Sequence, residues 1–359
     1  MKEGFTSKEV DVSAQTVWSS SECEDIHAQA GLLDKWNQSY SQLSSGAFRG
    51  GVSMLGLPGM HLFVEKMNQS VYQSGQIAGM RLGFGIAARA SGNCSMCGER
   101  AQASDLIVFS GAGGFEFISP RDFIFLGVEL DVAELTSDAV ELAQALESRL
   151  HARRKVIRLD PCQADGLARL FRSMFQSGGP GGGSMPSQNH LKAMQRQFLG
   201  SVIDDIDTTS ARDPRGQPGG SHWAIISQIR ESVIDNPDCP LTVAELTLQL
   251  NLSRRTIQNA VANTLDMSPL TFLRALRLSE VRREIATAAS VTETATRWGF
   301  WHFGYFARDY RAMFGELPSE TLTRARGAAR QRNGRTAPGA AARPRSGAGI
   351  RASPAAGVA

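Results

Sequence analysis

Residues 298–315 read WGFWHFGYFARDYRAMFG, and eight of these eighteen side chains are aromatic. From His302 to Phe314 the larger apolar residues recur every three or four positions, which predicts a helix with one buried face. The predicted inner face consists of Phe303, Phe306, Tyr310, Met313 and Phe314. Most of the aromatic cluster is therefore predicted to be core.

The opposite face of the same helix is predicted to carry Trp301, Gly304, Tyr305, Arg308 and Ala312. An outward arginine can donate to guanine O6 and N7 together, and Arg311, farther to the side, can reach a phosphate. A shorter helix over Val291–Trp298 precedes it, and Gly299 permits the turn between the two because glycine tolerates positive φ.

The same plan occurs about 48 residues earlier in the chain. Residues Val243–Leu250, VAELTLQL, predict a short helix, and Ser253 is a good N-cap for a second helix through about Thr264. Its inner face is predicted at Ile257, Val261 and Leu265. The outer face carries Arg254, Arg255, Gln258, Asn259 and Ala262. A short helix, a tight turn and a second helix with an exposed polar face are typical of a helix-turn-helix.

The segment between the two copies begins with Ser268 as a cap and Pro269 at the first helical position. A helix over residues 269–287 would be about 28 Å long, against about 34 Å for one turn of DNA. Such a connector can place both second helices in successive major grooves. Short helix pairs that bind no DNA are also common, and residues 241–322 hold nine arginines against eight acids. The duplicated plan, not the charge, therefore predicts nucleic-acid binding.

The segments LTVAELTLQLNLSRRTIQNAVANTLDMSPLTFLRALRLSEVRREI and SVTETATRWGFWHFGYFARDYRAMFGELPSE resemble the DNA-binding domain of the AraC/XylS transcription regulators. The resemblance implies base contacts at Arg255, Gln258 and Asn259, and at Gly304 and Arg308. Gly304 departs from the pattern because it offers no side chain, and His302 or Tyr305 beside it could substitute. The complete set of predicted DNA-binding residues is Arg254, Arg255, Gln258, Asn259, His302, Gly304, Tyr305, Arg308 and Arg311.

The 359 residues are enough for two domains, and 42% hydrophobic with 20% charged residues suit a soluble globular protein. Residues 46–130 show short apolar runs separated by turn residues, which predicts a small β-barrel or sandwich. Residues 131–206 have helical periodicity. The predicted divisions are a tail over 1–20, a sensor and dimerisation domain over 21–206, a linker over 207–221, a DNA-binding domain over 222–325 and a disordered basic tail over 326–359.

Strands followed by helices are similar to the cupin-like sensor regions of the same family. The stretch GAFRGGVSML…FVEKMNQSVYQSG is most similar to the branch that includes the ethanolamine-utilisation regulator. The predicted fold class is therefore α+β: a cupin-like β-barrel with helices, then an all-α domain with two helix-turn-helix motifs joined by a linker helix.

Metal or redox chemistry has two candidate sources in the sequence. Cys94 and Cys97 form a CxxC, which either holds a metal or redox pair or is a turn between strands with two idle thiols. His27, His61 and Glu65 lack the spacing of a metal site and are better explained as structural residues. A metalloenzyme barrel would need clustered histidines, and residues 70–130 contain none. We predict no catalytic activity, no metal and no cofactor.

Partners and location follow from charge and hydropathy. Residues 323–359 hold eight arginines and no acid. Because the whole chain has a net charge of +3, the net charge of the remaining residues is about −5. The tail either adds non-specific attraction to phosphates or is merely solvated. No run of 18 apolar residues and no apolar N-terminal signal are present, so we expect a cytoplasmic protein, nucleoid-associated when bound to DNA.

The sequence as a whole predicts a sequence-specific transcription regulator, by resemblance an activator. An effector at the N-terminal domain is expected to control a homodimer on double-stranded promoter DNA, with RNA polymerase as protein partner. The alternative is a ligand-independent regulator whose N-terminal domain dimerises or binds a partner protein. A filled domain interior would favour the alternative, and a pocket with convergent polar groups would favour an effector.

Overall fold

The computed structural model describes residues 17–79, 81–110, 114–135, 137–151, 155–177, 187–212 and 221–335. Outside these ranges lie residues 213–220 of the predicted linker 207–221, most of the glycine-rich stretch 177–187, most of the N-terminal tail and the basic tail beyond Arg335. Residues 207–212 of the predicted linker belong instead to a helix that ends at Arg212. No helix in the described part of the chain is long and apolar enough to cross a membrane.

The N-terminal half contains twelve described strands and a short helix, α1 (Ile26–Ala30). The strands are β1 (Val17–Cys23), β2 (Trp36–Gln42), β3 (Gly50–Leu57), β4 (Met60–Met67), β5 (Val71–Ile77), β6 (Arg81–Arg89), β7 (Cys94–Met96), β8 (Glu99–Ala101), β9 (Asp105–Ser110), β10 (Phe115–Ser119), β11 (Phe123–Asp131) and β12 (Val156–Arg158). The helices that follow are α2 (Ser137–His151), α3 (Pro161–Ser177) and α4 (Gln188–Arg212).

The strands form two antiparallel sheets. One has seven strands in the order β1-β3-β4-β11-β6-β9-β12, and the other has five in the order β2-β5-β10-β7-β8. The predicted closed barrel is not confirmed, because among the described residues both sheets remain open. Three strands also fall outside the predicted range 46–130: β1, which begins at Val17, and β2 precede it, and β12 lies in the segment predicted to be helical. Three residues, as in β12, are too few to show an alternating pattern.

Large side chains from both sheets fill the space between them. Trp36 of β2 lies edge-on to Phe63 of β4, with ring centroids 5.6 Å apart, and tilted against Phe109 of β9 at 5.0 Å. The other face of the seven-stranded sheet packs against α2, α3 and α4 in a separate apolar cluster. Alternate strand residues point to opposite faces, so this sheet is buried on both sides.

The C-terminal half is helical. It contains α5 (Ser221–Asp235), α6 (Val243–Gln249), α7 (Arg254–Leu265), α8 (Pro269–Ile285), α9 (Val291–Arg297), α10 (Phe303–Phe314) and α11 (Pro318–Arg335). Helix α11 thus continues beyond the predicted domain boundary at residue 325. Helix α8 is buried around most of its circumference and lies between the other helices and β2.

The two halves share one apolar cluster across the outer face of the five-stranded sheet. The ring of Tyr72 on β5 stacks on Trp223 of α5 with an interplanar angle of 9° and centroids 5.8 Å apart. Tyr72 also contacts Phe272 of α8 at 6.3 Å. Leu43 and Ile118 belong to the same cluster.

Polar groups join the halves beside this cluster. The guanidinium of Arg282 on α8 is almost completely buried and donates to Asp25 at 3.0 Å and to Glu316 at 2.7 Å. It also lies 4.8 Å from the ring centre of Phe314. A buried charge needs such partners because removing it from water is costly. His27 Nε2 lies 3.1 Å from the Ser279 carbonyl oxygen.

The His27 ring predicts how the stability of the chain depends on pH. Burial, with help from Arg282, lowers the pKa of His27 from 6.5 to about 4, although Asp25 opposes the shift. The unfolded chain therefore binds this proton first as the pH falls. As the pH falls from 6.5 to about 4, His27 therefore lowers the free energy of unfolding.

Urea unfolding at several pH values between 7 and 5 measures the effect. We expect the free energy of unfolding to fall with decreasing pH, and His27→Gln to reduce that slope. The exposed His190→Gln variant should keep the original slope. Equal slopes for all three proteins would contradict the assignment.

Candidate DNA-binding surface

Helices α6 and α7 form the first helix pair. Thr242 and Glu245 form a reciprocal capping box at the start of α6: Thr242 N donates to the Glu245 carboxylate at 2.6 Å, and Glu245 N donates to Thr242 Oγ1 at 3.2 Å. Asn251 adopts φ 52° in the turn. Ser253 then accepts from Thr256 N at 3.1 Å and begins α7.

Helix α7 presents the predicted polar face to solvent. Ile257 and Val261 are fully buried and Leu265 is half-buried. The predicted outer residues, Arg254, Arg255, Gln258, Asn259 and Ala262, are all exposed. The apolar contacts fix the rotation of the helix about its axis, so the polar side chains point away from the domain.

Helices α9 and α10 form the second helix pair. Ser290 caps α9 by accepting from Glu293 N at 3.1 Å. Gly299 has φ 83°, and a Cβ there would lie 2.6 Å from Pro240, so both conformation and space require glycine. Helix α10 ends at Gly315, which has φ 78°. The turn and the cap therefore define both ends of the second pair.

The inner face of α10 differs from the prediction at one position. Phe306, Tyr310, Met313 and Phe314 are buried, but Phe303 is 45% exposed. Phe300, which precedes the helix, packs on Phe306 with centroids 5.1 Å apart. Because Phe300 takes the core position and Phe303 is the first residue of α10, the prediction of a buried Phe303 was wrong.

The outer face of α10 carries polar and aromatic side chains. His302, Gly304, Tyr305, Arg308 and Arg311 are all exposed. The Arg308 guanidinium lies 5.0 Å from the centre of the Tyr305 ring and 3.3 Å from the Asp309 carboxylate. Asp309 in turn pairs with Arg274 at 3.3 Å. Arg308 thus lies on the exposed face, with its Nε and Nη2 donating to the Asp309 carboxylate.

Helix α8 joins the two pairs. Ser268 accepts from Thr271 N at 3.1 Å and Pro269 occupies the first turn, as predicted from the sequence. The helix ends at Ile285, two residues earlier than predicted, and its 17 residues span about 25 Å.

The other candidate residues are not brought together. His27 contacts α8, His61 Nδ1 lies 3.4 Å from Glu129, and the buried Glu65 accepts from Gln29 and Tyr40. In the described ranges no three His, Cys, Asp or Glu residues are grouped as metal ligands. These side chains therefore have separate structural partners.

The CxxC covers β7, which begins at Cys94, and the first residue of the turn after it, Cys97. Cys94 is buried, and burial raises its pKa to about 12. Cys97 has φ 48° in the turn itself. A thiol with so high a pKa remains protonated at neutral pH and is a poor nucleophile or metal ligand.

Sequence reasoning missed three groups of the N-terminal half that contact these helices. Gln42 Nε2 donates to the Met313 carbonyl at 2.7 Å, Gly46 N donates to the Ala312 carbonyl at 3.1 Å, and Arg100 donates to the Asn263 carbonyl at 3.0 Å. The two partners of each hydrogen bond are more than 160 residues apart in the sequence, so no local sequence pattern predicts these contacts.

A family profile described as a helix-turn-helix domain matches residues 246–324, which contain most of both helix pairs. A probable thc operon regulatory protein of Rhodococcus erythropolis is 39% identical over 87 residues, covering 23% of this chain and 26% of that protein. The XylDLEGF operon transcriptional activator 1 of Pseudomonas putida is 40% identical over 146 residues, covering 38% of this chain and 43% of that protein. The chain thus spans less than half the length of these relatives.

Two solved structures are also similar. A probable AraC family transcriptional regulator from Rhodopseudomonas palustris is 37% identical and covers 28% of this chain and 97% of that one, with a TM-score of 0.27. The AraC-like transcriptional activator CuxR is 12% identical, and the match covers 74% of this chain and 96% of that one, with a TM-score of 0.40.

The matched proteins are transcription regulators and not enzymes. The family profile lies on the segment that carries the two helix pairs and their exposed polar faces. The chain therefore belongs to the AraC/XylS family of transcription regulators.

Proposed function

We propose that this protein is a sequence-specific transcription activator in which both helix pairs act as helix-turn-helix motifs. The observation that supports the proposal is the repetition of one arrangement. In each pair the second helix is fixed by a buried apolar face and exposes a polar one. The 17-residue α8 is shorter than one turn of DNA, so α7 and α10 can enter successive major grooves on one face of the duplex.

The exposed side chains divide into two roles. Arg255, Gln258, Asn259 and Arg308 have the donors and acceptors that read base edges in the major groove. We assign Arg254 and Arg311 to contacts with phosphates, which position a protein without specifying sequence. A Cβ added at Gly304 would have no atom within 4 Å, so that position is open and His302 and Tyr305 flank it.

Activation and assembly are proposed from the relatives. Proteins with identity to this chain are named operon activators. We infer that the chain acts in the cytoplasm as a homodimer on promoter DNA and contacts RNA polymerase there. A dimer would present four helix-turn-helix units to paired half-sites.

Control by an effector would require space in the N-terminal domain. A cavity between the two sheets is lined by aromatic residues and by the buried carboxyl of Glu65, whose pKa is raised by burial. Its volume is about 10 Å³, which is room for one water molecule. An effector at this place would have to displace aromatic side chains.

The filled interior favours the second reading, in which the N-terminal domain dimerises or binds a partner protein without a small molecule. Aromatic rings from five strands occupy the volume that a ligand would need. In this reading DNA binding depends on assembly instead of on an effector.

Sedimentation of the full chain tests this second reading. At micromolar concentration we expect a dimer without any added small molecule. A monomer that dimerises only in the presence of a cellular small-molecule extract would contradict it and support effector control.

Substitution of Arg308 tests the proposed function most simply. The site would be selected from a random duplex library with the full chain. We expect Arg308→Ala to weaken binding to that site by about 1–3 kcal/mol, roughly 5- to 150-fold, because a guanine contact is lost. Arg308 is exposed, so the circular dichroism spectrum and melting temperature should not change.

Arg172→Ala, an exposed arginine on α3, is the control of equal charge and should bind like the unmodified chain. Unchanged affinity of Arg308→Ala for the selected site would remove α10 from the proposed surface.

The basic tail generates a separate expectation. Residues 336–359 contain three arginines and no acid. Each phosphate contact contributes about −0.9 to the slope of log affinity against log salt. We expect deletion of these residues to reduce the magnitude of the slope by up to about 2.7, measured by fluorescence anisotropy. Replacing Arg343, Arg345 and Arg351 with Gln should reproduce the deletion, and an unchanged slope would show that the tail does not contact DNA.

A further inference from the structure

The N-terminal domain contacts the C-terminal ends of both proposed recognition helices, α7 and α10. The last four carbonyl groups of a helix have no partner within it and accept hydrogen bonds from elsewhere. In α10, Gly46 N lies 3.1 Å from the Ala312 oxygen and 3.0 Å from the Met313 oxygen. In the last turn of α7, the Asn263 oxygen accepts from Arg100 at 3.0 Å.

Gln42 is the residue that joins the N-terminal domain to two helices at once. Its backbone N donates to Ser279 Oγ on α8 at 3.0 Å. Its side-chain Nε2 lies 2.7 Å from the Met313 oxygen on α10, and also near the Ser44 and Gly46 carbonyls. The residue is fully buried, so water cannot replace these bonds without opening the interface.

The C-terminal end of α10 packs closely against the segment that follows β2. A Cβ added at Gly315, the cap of α10, would lie 2.8 Å from the Ala47 side chain and 3.2 Å from its backbone. The helix end and the segment after β2 are therefore in close contact. Movement of α10 relative to β2 would break the bonds of Gln42 and Gly46 together.

The contacts lie at the helix ends and leave the polar faces uncovered. All nine predicted DNA-binding residues remain exposed with the N-terminal domain in place. The domain thus holds the two helices without blocking the surface proposed to meet DNA. This arrangement fits a domain that sets geometry better than one that covers the DNA-binding surface.

We infer that the N-terminal domain fixes the position of α7 relative to α10, and that Gln42 and Arg100 are positioning residues for DNA recognition. The inference rests on the proposed function. Its consequence is that the protein tolerates only one distance between the two DNA segments read by α7 and α10. Loss of the contacts should relax that distance while each helix keeps its own base contacts.

The experiment compares binding to duplexes that differ in spacing. The probe is the site selected from a random library by the unmodified full chain, with zero to four base pairs inserted between its two segments. A second probe keeps one segment and scrambles the other. The variants are Gln42→Met, which keeps length but removes the donor, Arg100→Ala, and both together. Arg89→Ala, an exposed arginine of β6 in the same domain, is the control.

Insertion of two base pairs rotates one segment by about 70° relative to the other. We expect this insertion to weaken binding of the unmodified chain and Arg89→Ala by about tenfold or more, a typical cost of losing base contacts. The double variant should lose less than about threefold, with unchanged affinity for the single-segment probe at low salt. If Gln42→Met does not fold, Arg100→Ala alone should show a smaller change in the same direction, because Arg100 is exposed.

A spacing profile of the double variant that superimposes on that of the unmodified chain would overturn the inference and leave the proposed function intact. An equal loss on single-segment and complete probes would overturn it as well, because that pattern indicates general damage to α7 or α10. Failure of the unmodified chain to select any site would instead refute the proposed function, and the inference with it.

Discussion

The burial of helix α8 is the constraint on which the arrangement of both helix pairs depends. Phe272 and Ser279 of α8 contact the N-terminal half, and the buried Leu276 and Val281 belong to the apolar cluster that both halves share. Its buried polar groups have partners: Ser279 binds Gln42 and His27, and Glu280 pairs with Arg283. Leaving such a group unpaired costs about 1–3 kcal/mol, so the register of α8 against β2 is strongly defined.

Arg282 of α8 links the N-terminal half to the segment after α10 through two ion pairs. Its charge is neutralised by Asp25 from the N-terminal half and by Glu316 after α10. Although burial opposes it, pairing with Arg324 and Arg282 lowers the pKa of Glu316 to about 2, so that carboxylate remains ionised at neutral pH. The stacked rings of Tyr72 and Trp223 continue the same interface as apolar surface. Domains joined by small polar interfaces move freely, whereas this combination favours one arrangement.

The C-terminal half could be predicted from sequence because its signals are local. Caps at Ser253, Ser268 and Ser290 and the positive-φ Gly299 define helix ends within a few residues. Periodicity placed the faces correctly except at Phe303, where the end of a helix leaves the direction of the side chain undetermined. Which strands pair, and whether a sheet closes, depends on contacts between distant residues, so the predicted barrel was not confirmed. The contacts of Gln42 with Met313 and Asp25 with Arg282 lie beyond local patterns for the same reason.

Methylation protection of guanine N7 on the selected duplex tests most directly whether α7 and α10 read DNA together. We expect two groups of protected major-groove guanines for each bound chain, about one helical turn, or 10–10.5 base pairs, apart on one face of the duplex. Arg308→Ala should abolish protection in one group and retain it in the other. A single protected group, or two groups on opposite faces of the duplex, would contradict the proposal that α7 and α10 read the duplex together.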